Sequence, residues 1–297
     1  GIPFVQTVHN TYVWLSPEQV AAYRHNDQHT AAYICVSNNV AFYADSRLGL
    51  PVDKMLVIPN GIDLTPWQSA PPPGERARLR QRLGLRPDDF VFLNVASLHL
   101  PKAQHVLLAA LTQTLQSCPR ARLVLLGPTL DVVYEAELKE MIAAGLEGAV
   151  VFAGHRQNPA PLYRMADAFV LPSFFEGWSL ALAEAAAAGL PLIATDVGAA
   201  REMLAHTGGH LVSPPFAAIT ELDFSNTNSL IRQEHTQFVG ALARAMQETY
   251  SNPVPPALSE SFLRSIDRRV AYRNYARLFH WLRQGGHPAS ARAWLRQ

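Results

Sequence analysis

The chain has 297 residues, of which 48% are hydrophobic and 16% are charged, a composition typical of globular proteins that bury a sizeable core. The net charge is only +1, so no basic field indicates a nucleic-acid partner. Cys35 and Cys118 form no metal-ligand or disulfide pattern, as expected in a reducing cytosol, and we see neither a signal peptide nor an apolar run of the ~18 residues that span a membrane.

Strands and helices alternate in the first 65 residues. The elements predicted there are a strand over 2–8, a helix over 16–30, a strand over 32–37, a helix over 38–49 and a strand over 55–58. Ser16 is a suitable N-cap, and Pro17 and Glu18 favour the first turn of the first helix. This alternation is half of a doubly wound unit. Because the chain begins at Gly1 inside a strand, we expect the first domain to be incomplete.

A second run of alternation follows a proline-rich segment, 66–74, which predicts a linker, and a short charged helix over 75–83. The predicted strands cover 90–96, 121–126, 150–153, 168–171, 192–194 and 210–212. The predicted helices between them cover 103–117, 132–144, 161–167, 180–188 and 199–205. Repeated alternation predicts the α/β class, with two Rossmann-like, doubly wound parallel-sheet domains.

The alternation stops after residue 213. The pattern then predicts an inserted loop over 214–233, an amphipathic helix over 238–250, one long helix over 259–283 and a polar tail prone to disorder over 285–297. The resulting domain limits are a partial first domain over 1–65, a linker with a short helix over 66–89, a second domain over 90–255, and a carboxy-terminal helix that crosses back, with its tail, over 256–297.

Two acids interrupt a very apolar stretch of the chain, residues 169–197. Glu176 lies in the turn after a predicted strand, and Glu184 lies inside a helix of alanine and leucine. A helix that is apolar all round is buried, and a buried acid is costly without a partner, so Glu184 requires one. The alternative is that Glu184 reaches solvent through a gap and that Glu176 is only a first-turn acid.

Ligands of open α/β sheets bind beyond the carboxyl ends of the strands. Polar residues follow four of the predicted strands, and we expect these loops to open onto one cleft; they are His9, 97–102, 154–156 and 176–179. The sequence contains no GxGxxG, GxxxxGK[ST] or GxSxG motif and no metal-ligand cluster. Taken alone, His9 is better explained as a surface histidine.

The residue types in these loops suit a nucleotide. Lys102 and the backbone N–H groups near Gly177 and Trp178 suit a diphosphate. Glu184 suits the vicinal hydroxyls of a ribose, because a carboxylate accepts two hydrogen bonds side by side. Glu176 suits sugar hydroxyls or a developing positive charge. The alternative for Lys102 is a solvated lysine at a helix start.

Four phrases of the sequence occur in a recognisable order and spacing. They are VIPNGID (57–63), SFFEG (173–177), EGWSLALAE (176–184) and AGLPLIATDVGAAREML (188–204). EGWSLALAE has the E-x7-E form of retaining glycosyltransferases with the GT-B fold, and the set resembles glycosyltransferase family 4 in particular. The resemblance covers about residues 2–215 and implies a GT-B-like fold.

The resemblance also implies a reaction. A sugar moves from a nucleotide-sugar, either a UDP-sugar or a GDP-sugar, to an acceptor hydroxyl with retention of configuration, and no metal or other cofactor is obligatory. The catalytic residues that it implies are Glu176, His9 and Lys102. The nucleotide-sugar-binding residues that it implies are Lys102, Ser97, His155, Arg156, Glu176, Gly177, Trp178, Ser179, Leu180 and Glu184.

Individual roles follow from the same resemblance. Glu176 would face the donor sugar, Glu184 would hold the ribose and Lys102 would bind the phosphates. His9 would lie near the sugar and the acceptor, and the backbone at 155–156 would meet the base. The implied partners are a glycan or a lipid-linked acceptor, and a cytoplasmic protein with peripheral contact at the inner membrane face is expected. A homo-oligomer is compatible with the family.

The sequence departs from the family at two places. Ser97 stands five residues before Lys102, where the family usually has arginine, and a hydroxyl cannot replace the charge of a guanidinium on a leaving diphosphate. The family's chains also begin ~80–100 residues earlier. Two other functions therefore stay open: a nucleotide-sugar-binding module or subunit that is completed elsewhere and, less favoured, a GT-B epimerase or phosphorylase.

Overall fold

The computed structural model describes residues 2–295, with the backbone alone for residues 292–295. Its strands form two sheets in which neighbouring strands are parallel. The strands are β1 (Phe4–Val8), β2 (Thr30–Cys35), β3 (Met55–Val57), β4 (Phe90–Val95), β5 (Ala121–Leu126), β6 (Val150–Gly154), β7 (Ala168–Leu171), β8 (Leu192–Thr195) and β9 (His210–Val212). The predicted α/β class with two parallel sheets is confirmed.

The order of the strands creates a crevice in the second sheet. The first sheet has the order β1-β2-β3, and the second has the order β6-β5-β4-β7-β8-β9. β4 pairs with β5 on one side and, through Phe92↔Ala168 and Leu93↔Phe169, with β7 on the other. The chain therefore leaves β4 and β7 in opposite directions, and such a switch point opens a crevice at the carboxyl ends of the strands.

Several helices begin at capping residues that the sequence supplies. They are α1 (Pro17–Asn26), α2 (Asn38–Ser46), α3 (Thr65–Gln68), α4 (Glu75–Arg82), α5 (Gln104–Leu115), α6 (Val132–Ala143), α7 (Ala160–Met165), α8 (Leu180–Ala187), α9 (Ala200–Thr207), α10 (Thr227–Ile231), α11 (Thr236–Ser251), α12 (Glu260–Ser265), α13 (Arg268–Arg283) and α14 (Pro288–Leu295). Ser16 and Gln19 form a capping box on α1, and Ser37, Asp131 and Ser179 cap α2, α6 and α8. Within residues 2–295, no helix has the length and apolar character needed to cross a membrane.

The carboxy-terminal helices return to the first sheet. One buried cluster joins the two, and its members are Ala32, Ile34, Leu56, Ile58, Leu278, Leu282 and Ala291. Backbone hydrogen bonds fix the crossing point, because the Ile62 N–H donates to the Ile266 carbonyl at 2.7 Å and the Arg268 N–H donates to the Ile62 carbonyl at 3.0 Å. The end of the chain thereby covers an apolar face of β2 and β3.

The single long helix predicted over 259–283 is wrong, because the segment forms α12 and α13. Asp267 lies between them, and its carboxylate accepts the Arg269 N–H at 2.8 Å as the N-cap of α13. The backbone groups on either side of Asp267 are engaged by Ile62. Apolar spacing continues across the break, so the periodicity alone predicted one helix.

Three segments predicted to be irregular contain short helices. The predicted linker includes α3, the predicted insert includes α10 and the predicted tail includes α14. Their proline and polar residues predicted loops, but each helix buries apolar surface, with Trp67 partly buried and Ile231 and Ala291 fully buried. The last two residues of the predicted tail, 296–297, lie outside the described residues.

A buried arginine ties α4 and α7 to the second sheet. Arg80 is 5% exposed, and its guanidinium donates to the Met165 carbonyl at 3.0 Å, to the Asp89 carbonyl at 2.8 Å and to Asp167 Oδ2 at 2.5 Å. Asp167 Oδ2 also accepts the Val91 N–H at 2.7 Å. One charge-assisted network therefore links two helices to the start of β4, next to the strand pair that forms the crevice.

We expect Arg80→Ala to lower the free energy of unfolding by about 3 kcal/mol, because it removes the buried donor of the Met165 and Asp89 carbonyls and leaves Arg76 as the remaining arginine partner of Asp167. Chemical denaturation with urea measures the change. Arg78→Ala is the matched control, since Arg78 is exposed on the same helix and its removal should change stability by no more than about 0.5 kcal/mol. Equal losses in the two variants would show that the network does not stabilise the fold.

Candidate functional site

An ion pair joins the loops that follow β4 and β7. Lys102 Nζ donates to Glu176 Oε1 at 2.6 Å, and Ser173 Oγ donates to the same oxygen at 2.8 Å. Glu176 is 7% exposed, so its charge is compensated by an ammonium and a hydroxyl rather than by water. Two of the predicted site residues are therefore brought together by the pairing of β4 with β7, although 74 positions separate them in the chain.

The turn that carries Glu176 is pressed between two other loops. A Cβ atom on Gly177 would lie 1.8 Å from the His9 carbonyl oxygen, and a Cβ atom on Gly198 would lie 2.7 Å from the Gly177 carbonyl oxygen. Gly198 also has a φ of +56°, a conformation that favours glycine. Only glycine fits at these positions, and the loop after β1 consequently touches the turn. The backbone of His9 lies at the predicted site, and its side chain is exposed.

The turn leads directly into α8. Trp178 is 8% exposed, and the hydroxyl of Ser179 accepts the Leu182 N–H at 3.2 Å as the N-cap. The N–H groups of Leu180 and Ala181 have no acceptor inside the helix, because the first turn of a helix never supplies one. The positive end of the helix therefore lies beside the Lys102–Glu176 pair, where it favours negative charge.

Glu184 lies one turn further along α8, and its partner is a tyrosine that sequence reasoning missed. The Tyr163 hydroxyl donates to Glu184 Oε2 at 2.9 Å, and the tyrosine side chain is fully buried. Burial raises the pKa of Glu184 above its ordinary value of 4.5, and the hydrogen bond from Tyr163 works in the opposite direction. A signal was present in the sequence, because a tyrosine in a short apolar helix needs a partner for its hydroxyl.

The loop after β4 is held by local hydrogen bonds. Ser97 Oγ lies 3.0 Å from His99 Nδ1, and Gln104 Nε2 donates to the Ser97 carbonyl at 3.0 Å. Burial lowers the pKa of His99 below its ordinary value of 6.5, which favours the neutral imidazole. Ser97 therefore brings a hydroxyl and no charge to the loop, and Lys102 is the cation there.

His155 and Arg156 follow β6, two strands from β4, and both are exposed. The Arg156 guanidinium donates to the His155 carbonyl at 3.2 Å. Among residues 2–291, no hydrogen bond or ion pair connects these two residues to Lys102, Glu176 or Glu184. The structure thus places them on the same edge of the sheet as the other predicted residues without bringing them into contact.

A cavity of about 1300 Å³ lies to one side of this cluster, between α2, the segment after β9 and the start of α11. Phe42 and Arg201 line it, and none of the predicted site residues does. Arg201 pairs with Asp196, and both residues line the cavity together with Glu234 and Arg244. No three His, Cys, Asp or Glu residues within the described part of the chain are grouped to hold a metal ion.

We expect Gly177→Ala to lower the melting temperature by about 5 °C or more, because the new methyl group overlaps the His9 carbonyl and one of the two backbones must move. Thermal unfolding followed by circular dichroism measures the shift. Gly240→Ala is the control, since an alanine there meets only ordinary contact with Arg244 and favours the helix. A Gly177→Ala protein with the same melting temperature as the unaltered chain would contradict the close approach of Gly177 to the His9 carbonyl.

Glu184 should also give the free energy of unfolding a distinct pH dependence. Because folding raises its pKa, the folded state holds the proton more tightly than the unfolded state, and stability falls as the pH rises from 4.5 through the raised pKa. We expect Glu184→Gln to remove that fall. Urea denaturation from about pH 4 to about pH 8 tests this, and a constant difference between the two proteins over that range would contradict it.

Two family models match this chain, and their matches contain most of the residues described above. Residues 89–222 match the family model described as glycosyl transferases group 1, and residues 1–66 match the model described as Glycosyltransferase Family 4. The first match contains Ser97, Lys102, Glu176 and Glu184, and the second contains His9. The two matches together therefore include both sides of the contact between His9 and Gly177.

Two curated relatives are similar over part of their length. The chain is 33% identical over 181 residues to "Lipopolysaccharide core biosynthesis mannosyltransferase LpsB" of Rhizobium meliloti, which covers 60% of this chain and 48% of the relative. It is 34% identical over 157 residues to "D-inositol 3-phosphate glycosyltransferase" of Nocardia farcinica, covering 50% of this chain and 34% of the relative. The chain thus spans about a third to about half of these relatives.

Two solved structures are similar to a larger share of this chain than the curated relatives are. Anabaena Alr3699/HepE in complex with UDP-glucose superimposes with a TM-score of 0.68 and 26% identity, covering 94% of this chain and 72% of that chain. WaaG, a glycosyltransferase involved in lipopolysaccharide biosynthesis, superimposes with a TM-score of 0.60 and 20% identity, covering 86% and 66%. Residues 1–66 and 89–222 therefore belong to glycosyltransferase family 4 and to the group 1 glycosyl transferases, respectively, on a GT-B-like fold.

Proposed function

We propose that the chain transfers a hexose-type sugar from a nucleotide-sugar to an acceptor hydroxyl, with retention of configuration. The observation that carries the proposal is the Lys102–Glu176 pair at the positive end of α8, with Glu184 one turn behind it. A cation and a helix N-terminus suit a diphosphate, and two acids suit the hydroxyls of a sugar and a ribose. The UDP-glucose in the Anabaena neighbour supports a donor of this class.

In this proposal, Lys102 and the first amides of α8 bind the diphosphate, with contributions from Gly177, Trp178, Ser179 and Leu180. Lys102 Nζ has three protons, and one already binds Glu176, so it can donate to a phosphate oxygen as well. Their common task is to stabilise the negative charge that grows on the diphosphate as it leaves.

The chemical step that we propose takes place on one face of the sugar. The bond between the anomeric carbon and the phosphate oxygen breaks as the acceptor oxygen bonds to that carbon from the same side. The acceptor proton passes to the departing phosphate oxygen, and the configuration is retained. Glu176 Oε2 accepts no hydrogen bond from the described residues, so it is available to the sugar hydroxyls or to the positive charge that develops on the ring.

The acceptor is proposed to approach from the side of the first sheet. His9 lies next to Gly177, and Trp14 is 46% exposed with its ring 5.8 Å from that of Phe175. An exposed aromatic ring beside the turn is suited to the apolar face of a sugar. A glycan or a lipid-linked acceptor fits this surface, whereas peripheral contact with the inner membrane face and a homo-oligomer stay predictions.

A second candidate is a nucleotide-sugar-binding module that does not turn over, or a subunit completed elsewhere. Ser97 supports it, because no second cation follows β4 to stabilise a leaving diphosphate. Calorimetry with UDP and GDP, combined with a turnover assay, separates the two candidates. Binding together with donor hydrolysis or transfer supports the enzyme, and binding without turnover supports the module.

We expect Lys102→Ala to weaken the binding of a nucleoside diphosphate by about 10-fold to 100-fold, because it removes a charge-assisted hydrogen bond. Glu176→Ala should lower the rate of transfer or donor hydrolysis by at least about 10-fold. Lys139→Ala is the matched control, since Lys139 is exposed and pairs with Glu135 on the surface.

Calorimetry measures the binding, and release of the nucleoside diphosphate measures the turnover. The assignment fails if Lys102→Ala binds like the Lys139→Ala control and Glu176→Ala turns over like the unaltered chain. A loss of binding in Lys102→Ala without any turnover in the unaltered chain would favour the module.

A further inference from the structure

We propose that Tyr163 is a positioning residue that orients the Glu184 carboxylate toward the ribose of the donor. The inference rests on the function proposed above and names a residue outside the strand-end loops. Tyr163 belongs to α7, and Glu184 belongs to α8, so a contact between two helices determines how the acid is presented to the crevice.

The hydrogen bond itself has a definite direction. The Tyr163 oxygen lies 2.9 Å from Glu184 Oε2 and 3.2 Å from the Ala181 carbonyl. A tyrosine hydroxyl has one proton, and an ionised carboxylate is the stronger acceptor. The proton therefore points at Glu184, and the Ala181 carbonyl is the weaker of the two contacts.

The tyrosine ring cannot follow the acid if the acid moves. Its ring stacks on Phe169 of β7 at 5.9 Å, and Trp67 of α3 meets it edge to face at 5.4 Å. The ring is fully buried, and aromatic pairs of this kind have preferred geometries. The hydroxyl is therefore a fixed point supported by the sheet and by the segment that connects the two sheets.

Holding one carboxylate oxygen leaves the rest of the acid for a ligand. Glu184 Oε1 has no hydrogen-bond partner among the described residues, and Glu184 keeps partial contact with solvent. A glutamate side chain loses considerable rotamer freedom when a ligand fixes it. Because Tyr163 fixes the acid in advance, the ribose hydroxyls meet an oriented acceptor, and this preorganisation favours binding.

The role predicts a specific change in nucleotide preference. We expect the unaltered chain to bind a ribonucleoside diphosphate about 10-fold more tightly than its 2′-deoxy form, since a hydrogen bond to a charged group is lost. Tyr163→Phe should reduce that preference to about 2-fold, because it weakens the binding of the ribonucleotide and has little effect on the binding of the deoxynucleotide. Calorimetry with UDP, GDP and their 2′-deoxy forms measures the preference.

Tyr134→Phe is the matched control. Tyr134 is also fully buried in the second sheet's domain, but its hydroxyl bonds to His105 and not to an acid. Its loss should leave the preference for the ribonucleotide unchanged. Glu184→Asp is a second variant that keeps the charge and withdraws the carboxylate from the hydroxyl, so it should lose the same preference.

The outcomes distinguish this inference from the function on which it rests. If Tyr163→Phe weakens the binding of the ribonucleotide and of the deoxynucleotide equally, the tyrosine is structural and the positioning role is wrong. If neither affinity changes, the role is also wrong while the nucleotide site stands. If neither UDP nor GDP binds the unaltered chain, the proposed function fails and the positioning role fails with it.

Discussion

The hydrogen-bonded ion pair between Lys102 and Glu176 is the interaction on which the candidate site depends. An acid as buried as Glu176 is costly unless its charge is compensated, and both Lys102 and Ser173 donate to the same oxygen. The lysine reaches the acid only because β4 pairs with β7 across the switch point. The order of the strands therefore creates the site, and the residues would not meet in any sheet that separated these two strands.

Backbone contact has a different role at the same place. Gly177 and Gly198 let three loops approach each other without side chains between them, and one of those loops belongs to the first sheet. Contacts between backbones leave little room for sliding, because no flexible side chain can adapt. The turn before α8 is thereby fixed from both sides. The same contact brings the loop of His9 to the acid that the proposal assigns to the donor sugar.

Much of this arrangement follows from local sequence. Buried strands such as β5 and β7 are short apolar runs, and their predicted limits agree with the structure. The meeting of Lys102 with Glu176 could be expected because loops at the carboxyl ends of parallel strands converge. The sequence indicated that the hydroxyl of Tyr163 needs a partner. It did not identify that partner as Glu184, since Tyr163 lies on a neighbouring helix and no periodicity encodes which residue faces it. The break at Asp267 was missed for a similar reason, because it depends on backbone bonds with Ile62, about two hundred positions earlier.

The two acids are held in a common way, and this bears on the chemistry. In each acid, one oxygen accepts hydrogen bonds from fixed donors. The donors are both Lys102 and Ser173 for Glu176, and the donor is Tyr163 for Glu184. A diphosphate that enters the crevice adds negative charge next to Glu176, and Ser97 contributes no charge to offset it. In the proposed function, the phosphate shares Lys102 with Glu176 and relies on the positive end of α8, which acts like about half a charge. Under that constraint a ligand gains most by donating hydrogen bonds to the free oxygens of both acids, and a sugar joined to a ribonucleotide has hydroxyls at both ends of the diphosphate. Under the proposed function, the arrangement thus favours a nucleotide-sugar over a simple phosphate or an isolated nucleotide.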